Sequence, residues 1–144
     1  MEKLLISACL LGEKCRYDGR SKPNELALRL ASKYELIPIC PEVMGGLPTP
    51  RKPSEINGER VIMVDGTDVT AEYKRGADIA LKLALENGCK IAILKSLSPS
   101  CGKGSIYDGT YTKTVVNGNG VTAKRLIENG IEVLDETEIE ELGI

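Results

Sequence analysis

The stretch Lys3-Leu4-Leu5-Ile6-Ser7-Ala8-Cys9 is a short apolar run that ends in a cysteine. Two further runs, at residues 35–39 and 90–95, are also followed by a cysteine, Cys40 directly and Cys101 after a Ser-Pro-Ser segment. Short aliphatic runs bounded by turn residues are typical of buried parallel strands. Because the carboxyl ends of parallel strands meet at one edge of a sheet, where open α/β folds place their active sites, the three thiols are expected to converge there.

Segments with helical periodicity lie between and after these runs. In the longest segment, apolar residues recur at three- and four-residue steps after Asp68, which is a suitable N-cap. Alternating strands and helices predict an α/β fold. We expect one domain over residues 1–144, a Rossmann-like three-layer sandwich with a mostly parallel sheet. The predicted strands cover residues 3–8, 35–39, 90–95 and 131–134, and the predicted helices cover residues 24–33, 69–86 and 121–128.

Two segments fit this alternation poorly and are predicted to be long loops. Residues 41–66 contain four prolines and a Gly-Gly pair, although residues 60–64 could form an additional strand. Residues 96–114 are rich in Gly, Ser and Lys. Each segment follows a predicted strand, so both are expected to flank the edge that carries the cysteines. Long loops at that edge usually carry function.

Composition excludes several classes of function. The 144 residues suit one domain, and no apolar stretch approaches the roughly 18 residues that a membrane span requires. The start of the chain lacks the apolar region of a signal peptide, so a cytoplasmic location is expected. A net charge of −2, with 19 Lys and Arg scattered among 21 acidic residues, argues against duplex nucleic acid as a partner. A small-molecule substrate fits better.

The chain contains no histidine. This excludes Ser-His-Asp and Cys-His catalysis as well as histidine-ligated zinc. Sulfur, carboxylate, hydroxyl and lysine groups must therefore carry any chemistry. Five cysteines in a chain expected to be cytoplasmic favour metal binding or catalysis over a disulfide framework.

The five cysteines differ in their position relative to the predicted strands. Cys9, Cys40 and Cys101 follow strands, whereas Cys89 precedes one and is expected at the opposite edge as a buried apolar residue. Cys15 follows Cys9 by six residues and could be a fourth ligand, a relay thiol or a bystander. The three cysteines after strands are therefore the predicted shared site.

Three separated thiolates suit some metal groups better than others. A structural zinc site usually takes four ligands with paired Cys-x-x-Cys motifs, and no such motif occurs here. A four-iron cluster is also held by cysteine thiolates, and a cluster held by only three leaves one iron open as a Lewis acid. The pattern is therefore compatible with a catalytic cluster.

Several short motifs make a family resemblance specific. In order and spacing they resemble the small bacterial and archaeal family that includes thiouracil desulfidase, over about residues 3 to 116. The motifs are Ser7-Ala8-Cys9-Leu10-Leu11-Gly12, Arg16-Tyr17-Asp18-Gly19, Cys40-Pro41-Glu42, Gly45-Gly46-Leu47-Pro48, Pro50-Arg51, Lys95-Ser96, Ser98-Pro99-Ser100-Cys101-Gly102 and Ile106-Tyr107-Asp108-Gly109.

The resemblance implies a cofactor and a set of catalytic residues. Cys9, Cys40 and Cys101 would hold a [4Fe-4S] cluster whose open iron accepts the sulfur of a thiocarbonyl. Glu42 and Ser98 would be the catalytic carboxylate and serine. A thiophilic metal and a proton-transferring carboxylate are what the replacement of sulfur by oxygen requires.

Three further residues are predicted to contact the substrate: Ser7, Ser100 and Tyr107. The expected activity is the removal of sulfur from a thiolated, thiouracil-like nucleobase, which yields the oxo base and sulfide. One alternative is a non-catalytic module that binds a metal or cluster or senses redox state, and Cys15 would then close the site. A second alternative is a cluster-free enzyme that uses Cys9 and Cys15 as a redox pair. The sequence leaves the oligomeric state open.

Overall fold

Alternating side chains along the first strand create the two faces of the main sheet. In the computed structural model, which describes residues 1–144, this strand (β1) spans Lys3–Ser7. Leu5 packs into one hydrophobic cluster, while Leu4 and Ile6 pack into another on the opposite face. Because a strand buried on both faces needs no polar positions, the run is continuously apolar.

Four parallel strands form the main sheet in the order β2-β1-β5-β8. The predicted α/β fold with a parallel sheet is confirmed, and each predicted strand lies within one residue of its observed bounds. The strands of the molecule are β1 (Lys3–Ser7), β2 (Glu35–Ile39), β3 (Ser54–Asn57), β4 (Arg60–Met63), β5 (Ile91–Leu94), β6 (Ser105–Tyr107), β7 (Val115–Asn117) and β8 (Glu132–Asp135).

Helices cover both faces of this sheet, which makes three layers. The apolar sides of α3 and α4 pack on the face that carries Leu5, and residues of α1 pack on the other face. The predicted helices at 69–86 and 121–128 are confirmed, but the N-cap of the first is Val69 and not the predicted Asp68. Asp68, one residue earlier, accepts a hydrogen bond from the Thr70 backbone N–H at 2.9 Å. The helices are α1 (Glu25–Arg29), α2 (Pro41–Met44), α3 (Thr70–Glu86) and α4 (Val121–Glu128).

The first helix is shorter than predicted. The sequence predicts a helix over residues 24–33, but α1 ends at Arg29 and continues as a single 3-10 turn, Leu30–Ser32. Asn24 lies outside the helix as its N-cap and accepts a hydrogen bond from the Ala27 N–H. None of the helices in the molecule could span a bilayer.

The prediction of two long loops is wrong, because each segment contains short regular elements. Residues 41–66 hold α2 and an antiparallel hairpin of β3 and β4, and β4 ends one residue before the predicted strand. Gly58 has a φ of +64°, which suits the two-residue turn of this hairpin. Residues 96–114 hold β6, which pairs with β7 in a second hairpin. The two hairpins lie over the carboxyl edge of the sheet, where residues of both line one cavity.

Candidate active site

One cavity of about 520 Å³ lies at the carboxyl edge of the main sheet. The thiols of Cys9, Cys40 and Cys101 line it, as the strand pattern predicts, and Cys15 lines it as well. Cys89 instead packs into the core beside α3 and β5. The predicted convergence of three thiols is thus observed, together with a fourth that the sequence left undecided.

Each of the three cysteines that follow strands is held by a different local structure. Cys9 lies in a 3-10 turn directly after β1, and Cys40 is the N-cap of α2 directly after β2. Cys101 lies in a turn that Ser98 stabilises, because the Ser98 hydroxyl oxygen accepts hydrogen bonds from the backbone N–H groups of Ser100, at 3.1 Å, and Cys101, at 3.0 Å. Strand ends and one hydroxyl therefore place the three sulfurs.

Three of the thiols that line the cavity resist ionisation. Burial raises the pKa of Cys101 to about 12. The hydrogen bond with the Cys15 thiol, followed by burial, raises the pKa of Cys40 far above its ordinary value. The hydrogen bond with Cys40 lowers the pKa of Cys15, but contact with Cys9 and burial outweigh it, so that this pKa is about 11. Metal binding would be needed to hold these groups as thiolates at neutral pH.

The donor set fits an iron-sulfur cluster better than a single metal ion. No three Cys, Asp or Glu side chains in the molecule are arranged as ligands of one ion. A four-iron cluster takes each thiolate on a separate iron and so needs separated sulfurs around a cavity. Three thiols that come from three strand ends and line one cavity meet that requirement.

Glu42 lies on α2, beside the cysteine pocket, and is paired with an arginine. The Nε atom of Arg51 donates a hydrogen bond of 2.7 Å to Oε2 of Glu42. The Arg51 side chain is 4% exposed and that of Glu42 is 12% exposed. Arg51 also donates to the backbone oxygen of Cys15, at 3.1 Å. The guanidinium therefore fixes Glu42 and the Cys9–Cys15 loop relative to each other.

Tyr73 of α3 lies beneath Glu42. Burial, followed by the negative charge of Glu42, raises the pKa of Tyr73 well above its usual range, so its hydroxyl stays protonated beside this carboxylate. Tyr73 is one of the apolar residues that recur at three- and four-residue steps along this helix, the apolar stripe that packs into the core. Its hydroxyl, the one polar group on that stripe, was the signal for a second role.

A close contact between two helices determines where α2 lies. A Cβ atom on Gly76 of α3 would lie 1.9 Å from the backbone oxygen of Pro41, and one on Gly45 would lie 2.0 Å from the backbone oxygen of Glu72. Neither position has room for a side chain. The two glycines allow α2 to approach α3 closely, which places Cys40 and Glu42 at the cavity.

The three residues predicted to contact substrate all line the cavity. Tyr107 is half-buried in β6. Ser7 is buried, and its hydroxyl oxygen accepts a hydrogen bond from the Lys95 backbone N–H at 3.0 Å. Ser100 is also buried, and its hydroxyl is 2.9 Å from that of Thr122. The two serines therefore lie in the wall of the cavity and already have protein partners.

An ion pair joins Lys95, which lines the cavity, to Glu136, which directly follows β8. The Lys95 ammonium is 2.9 Å from Glu136, which also accepts hydrogen bonds from the backbone N–H and the hydroxyl of Ser96. Lys95 belongs to one of the sequence motifs, but nothing in the sequence pointed to Glu136. Their separation of some forty residues along the chain explains why the pairing has no local signal.

The fold and the pocket together define a class: a single-domain α/β protein whose parallel strands deliver three thiols and a carboxylate to a cluster-sized cavity. The family can also be identified, because the model of the 2-thiouracil desulfurase family matches residues 4–138. The chain belongs to this family.

Two similar proteins agree with this membership. The chain is 38% identical to the uncharacterized protein YbbK of Bacillus subtilis (strain 168), over 96% of this chain and 99% of that protein. It also resembles the solved structure of a [4Fe-4S]-dependent thiouracil desulfidase, TudS, with a TM-score of 0.94 and 46% identity, over 99% of this chain and 96% of that one.

Proposed function

We propose that this protein is a [4Fe-4S]-dependent desulfidase that converts a thiouracil-like base to the oxo base and releases sulfide. The observation that carries the proposal is the convergence of Cys9, Cys40 and Cys101 on one cavity beside Glu42. The similar structure is a desulfidase that depends on a [4Fe-4S] cluster, and it shares 46% of its sequence with this chain.

The three cysteines are the proposed cluster ligands. When bound, the cluster supplies a thiophilic Lewis acid at the iron that no cysteine holds. Cys9 and Cys101 are 7% and 5% exposed, so the wall around these two thiols is poorly solvated. Tyr107 and the hydroxyl-bearing wall would confine a flat heterocycle, which is small relative to the cavity.

Glu42 is the proposed general base. Replacement of a thiocarbonyl sulfur by oxygen requires that a water molecule lose protons as it adds to the carbon. Arg51 occupies Oε2 of Glu42, and both side chains are nearly buried, so the orientation of the carboxylate is fixed before substrate binds. A carboxylate that does not have to reorient can accept a proton from water held at the substrate carbon.

Ser98 is proposed to donate a hydrogen bond to the substrate. Its hydroxyl oxygen already accepts two backbone N–H groups. A hydroxyl has one proton and two lone pairs, so the remaining function of Ser98 is donation. A donor at the cavity wall would orient a ring oxygen or nitrogen of the base, or stabilise negative charge that develops as water adds.

The fourth thiol gives a specific reason to retain the non-catalytic alternative. Cys15 lines the same cavity as Cys9 and Cys40, and the Cys40 thiol donates a hydrogen bond of 3.6 Å to the Cys15 backbone oxygen. A fourth thiolate on the cluster would close the open iron and favour a sensor or structural module. A Cys9–Cys15 redox pair would likewise need these two thiols to lie in one cavity. A cytoplasmic location, supported by five free cysteines, is part of the proposal.

The test is anaerobic reconstitution with iron and sulfide, followed by iron counting, visible absorption and turnover of 2-thiouracil. We expect about four irons per chain, with release of uracil and sulfide. Alanine variants at Cys9, Cys40 and Cys101 should lose both the iron and the activity, whereas Cys89→Ala, which alters a cysteine outside the cavity, should keep both.

Cys15→Ser separates the alternatives. The desulfidase should keep its cluster and most of its activity in this variant. A gain of activity on removal of the thiol would indicate that Cys15 closes the iron, as the module requires. If the parent enzyme is active without iron and Cys15→Ser abolishes that activity, the result supports the redox pair and contradicts the proposed function.

A further inference from the structure

The first turn of α4 packs against residues 98–101, the segment that carries Ser98 and Cys101. The first backbone N–H groups of a helix have no carbonyl partner within the helix itself. In α4 these groups donate to carbonyls of segment 98–101, so the segment caps the helix. The hydrogen bonds are those of the Val121 N–H to Pro99 at 2.9 Å, the Thr122 N–H to Ser100 at 2.8 Å and the Ala123 N–H to Ser100 at 3.2 Å.

The same peptide units continue to the Ser98 side chain. The Pro99 carbonyl belongs to the peptide whose N–H is that of Ser100, and the next carbonyl belongs to the peptide whose N–H is that of Cys101. These two N–H groups donate to the Ser98 hydroxyl oxygen, at 3.1 and 3.0 Å. Two peptide units in parallel therefore join the first N–H groups of α4 to one hydroxyl oxygen.

The contact between α4 and segment 98–101 is close and buried. A Cβ atom on Gly120, the N-cap of α4, would lie 2.4 Å from the Ser100 backbone oxygen and 2.9 Å from the Cys101 nitrogen, so no side chain fits there. The hydroxyls of Ser100 and Thr122 are 2.9 Å apart, and these two residues are 1% and 0% exposed. Hydrogen bonds in such an environment are electrostatically stronger than those in water.

Hydrogen bonds in series strengthen one another. A carbonyl that accepts an N–H is polarised, and the N–H of the same peptide becomes a stronger donor. The N-terminal end of a helix also carries a partial positive charge. Both effects draw electron density from the Ser98 oxygen and make its O–H a stronger donor. Ser98 lines the cavity and accepts both of its side-chain hydrogen bonds, so its proton is available to a bound molecule.

We propose that the N-terminal turn of α4 polarises Ser98 through these two peptide units and makes its hydroxyl a strengthened donor to a carbonyl oxygen of the bound base. The first N–H groups of α4 act through Ser98 as positioning groups, because protein carbonyls occupy them and they bind no ligand themselves. The inference rests on the proposed function, which makes Ser98 a donor to the substrate. A strengthened donor stabilises the negative charge that develops on the ring as water adds.

Amide-to-ester replacement tests this polarisation without changing a side chain. Val121 and Thr122 are each replaced by the corresponding α-hydroxy acid, which puts an ester oxygen in place of an N–H that reaches segment 98–101. Lys124 is the matched control, because its N–H bonds the Gly120 carbonyl within α4, at 2.9 Å. The readouts are kcat and KM for 2-thiouracil, the iron content, and the infrared carbonyl stretches of bound uracil that is isotopically labelled at one carbonyl carbon or the other.

We expect Ser98→Ala to lower kcat by about 10²–10³-fold, the usual effect of removing one donor to a developing oxyanion. The esters at Val121 and Thr122 should each lower kcat by about two- to fivefold, the factor that a helix-dipole interaction supplies, with little change in KM or iron content. One carbonyl of uracil should stretch at a higher frequency in Ser98→Ala than in the parent, with both esters between them. The ester at Lys124 should match the parent.

A second set of variants shows whether the effect passes through Ser98. In Ser98→Ala the esters should cost no further kcat, because the group that they polarise is gone. Equal losses in the two backgrounds, or a fall in iron content, would mean that α4 only holds Cys101 in place, and the inference would be overturned. If an ester at Val121 or Thr122 prevents folding, the ester at Ala123, whose hydrogen bond is longer at 3.2 Å, decides by the same readouts.

The failure of this inference is distinct from the failure of the proposed function. A parent protein that takes up no iron and does not convert 2-thiouracil contradicts the proposed function, and the inference with it. A parent with a cluster and turnover, whose kcat and carbonyl stretches are unchanged by the esters, contradicts only the role of α4.

Discussion

Glu42 is the side chain whose chemistry depends most on its immediate neighbours. Arg51 binds one of its oxygens, and buried Tyr73 lines the same cavity. We expect Glu42→Gln to keep about the parent iron content and to lower kcat by about 10²–10⁴-fold, the usual contribution of a positioned general base. Turnover of 2-thiouracil by protein matched for iron content measures this.

Glu55→Gln is the control for that experiment. Glu55 lines the same cavity, but its Oε1 atom accepts hydrogen bonds from the Gly109 and Tyr111 backbone N–H groups, an interaction that an amide oxygen can retain. Its kcat should stay near the parent value. Equal losses of kcat in the two variants would remove the reason to single out Glu42.

The ion pair between Arg51 and Glu42 should also contribute to stability. Removing one partner of a buried pair leaves an uncompensated charge and costs about 3–5 kcal/mol. Because Glu42 retains some exposure to the cavity, Arg51→Met should lower the free energy of unfolding by an amount near the lower end of that range. Denaturant unfolding of the cluster-free protein gives the value.

A double-mutant cycle tests whether the ion pair is the cause. Once Glu42 is already Gln, the additional loss from Arg51→Met should be clearly smaller, because no buried carboxylate remains unpaired. Additive losses would mean that Arg51 acts through its hydrogen bonds to backbone oxygens, such as that of Cys15.

At the scale of elements, the contact between α2 and α3 links the position of Glu42 to the core. Ala is favoured over Gly inside an exposed helix by about 1 kcal/mol. At position 76 the reverse is expected, because a Cβ atom there would lie 1.9 Å from the backbone oxygen of Pro41. Gly76→Ala should therefore lower the Tm and reduce iron uptake, because α2 must move away and carry Cys40 with it.

Lys74→Ala provides the comparison within the same helix. Lys74 is exposed, so its substitution changes the helix propensity of α3 without affecting the contact between α2 and α3. Its Tm and iron content should be close to those of the parent. A Gly76→Ala protein with a raised Tm and full iron content would show that α2 can shift without cost.

The ion pair of Lys95 and Glu136 links the segment after β5 to the end of β8, and it predicts a dependence on pH. Burial alone would raise the pKa of Glu136, but hydrogen bonds from Lys95 and the Ser96 N–H outweigh it and hold this pKa below its ordinary value of 4.5. A depressed pKa in the folded state stabilises the protein above the unfolded-state pKa. This contribution is lost as pH falls through the folded-state value.

Glu136→Gln should therefore be less stable than the parent at neutral pH, and the difference should shrink as the pH falls below about 4. Thermal unfolding across this range measures the difference. Glu132→Gln, at an exposed position of β8, should show little difference from the parent at any pH. A constant difference between parent and Glu136→Gln would mean that ionisation of Glu136 is not involved.

At the scale of the whole molecule, the sequence predicts the arrangement of the strands well where apolar residues run continuously along a strand. The runs at β1, β2 and β5 are apolar on both faces, and that pattern alone predicts parallel strands with cysteines at their carboxyl ends. The two hairpins were missed, apart from a possible strand at residues 60–64, because their short strands lie among prolines and glycines and lack the continuous apolar runs of the main sheet.

The unpredicted parts of the site are pairings between distant residues. The Ser7 hydroxyl meets a backbone group 88 positions away in the sequence, and Lys95 meets Glu136 across a separate strand. Neither partner has a local signal, because each pair exists only after β1, β5 and β8 have come together. Residue types could therefore be predicted as candidates for the site, but their hydrogen-bond partners could not.

The same topology makes the cluster a cross-link between distant parts of the molecule. Its three proposed ligands follow β1, β2 and β5, so a bound cluster would tie three strand ends together. A group that binds only the folded state raises stability by RT ln(1 + [L]/Kd). Reconstitution should therefore raise the Tm of the parent, and this rise should disappear in Cys9→Ala, Cys40→Ala and Cys101→Ala.

Cys89→Ala separates this effect from ordinary packing. Cys89 is buried in the core, so its loss should lower the Tm of the cluster-free and reconstituted proteins alike and leave the rise between them intact. Anaerobic thermal unfolding of each variant, with and without reconstitution, gives both quantities. If Cys101→Ala kept the full rise in Tm, the segment after β5 would not be tied to the cluster, and the assignment of its third ligand would fail.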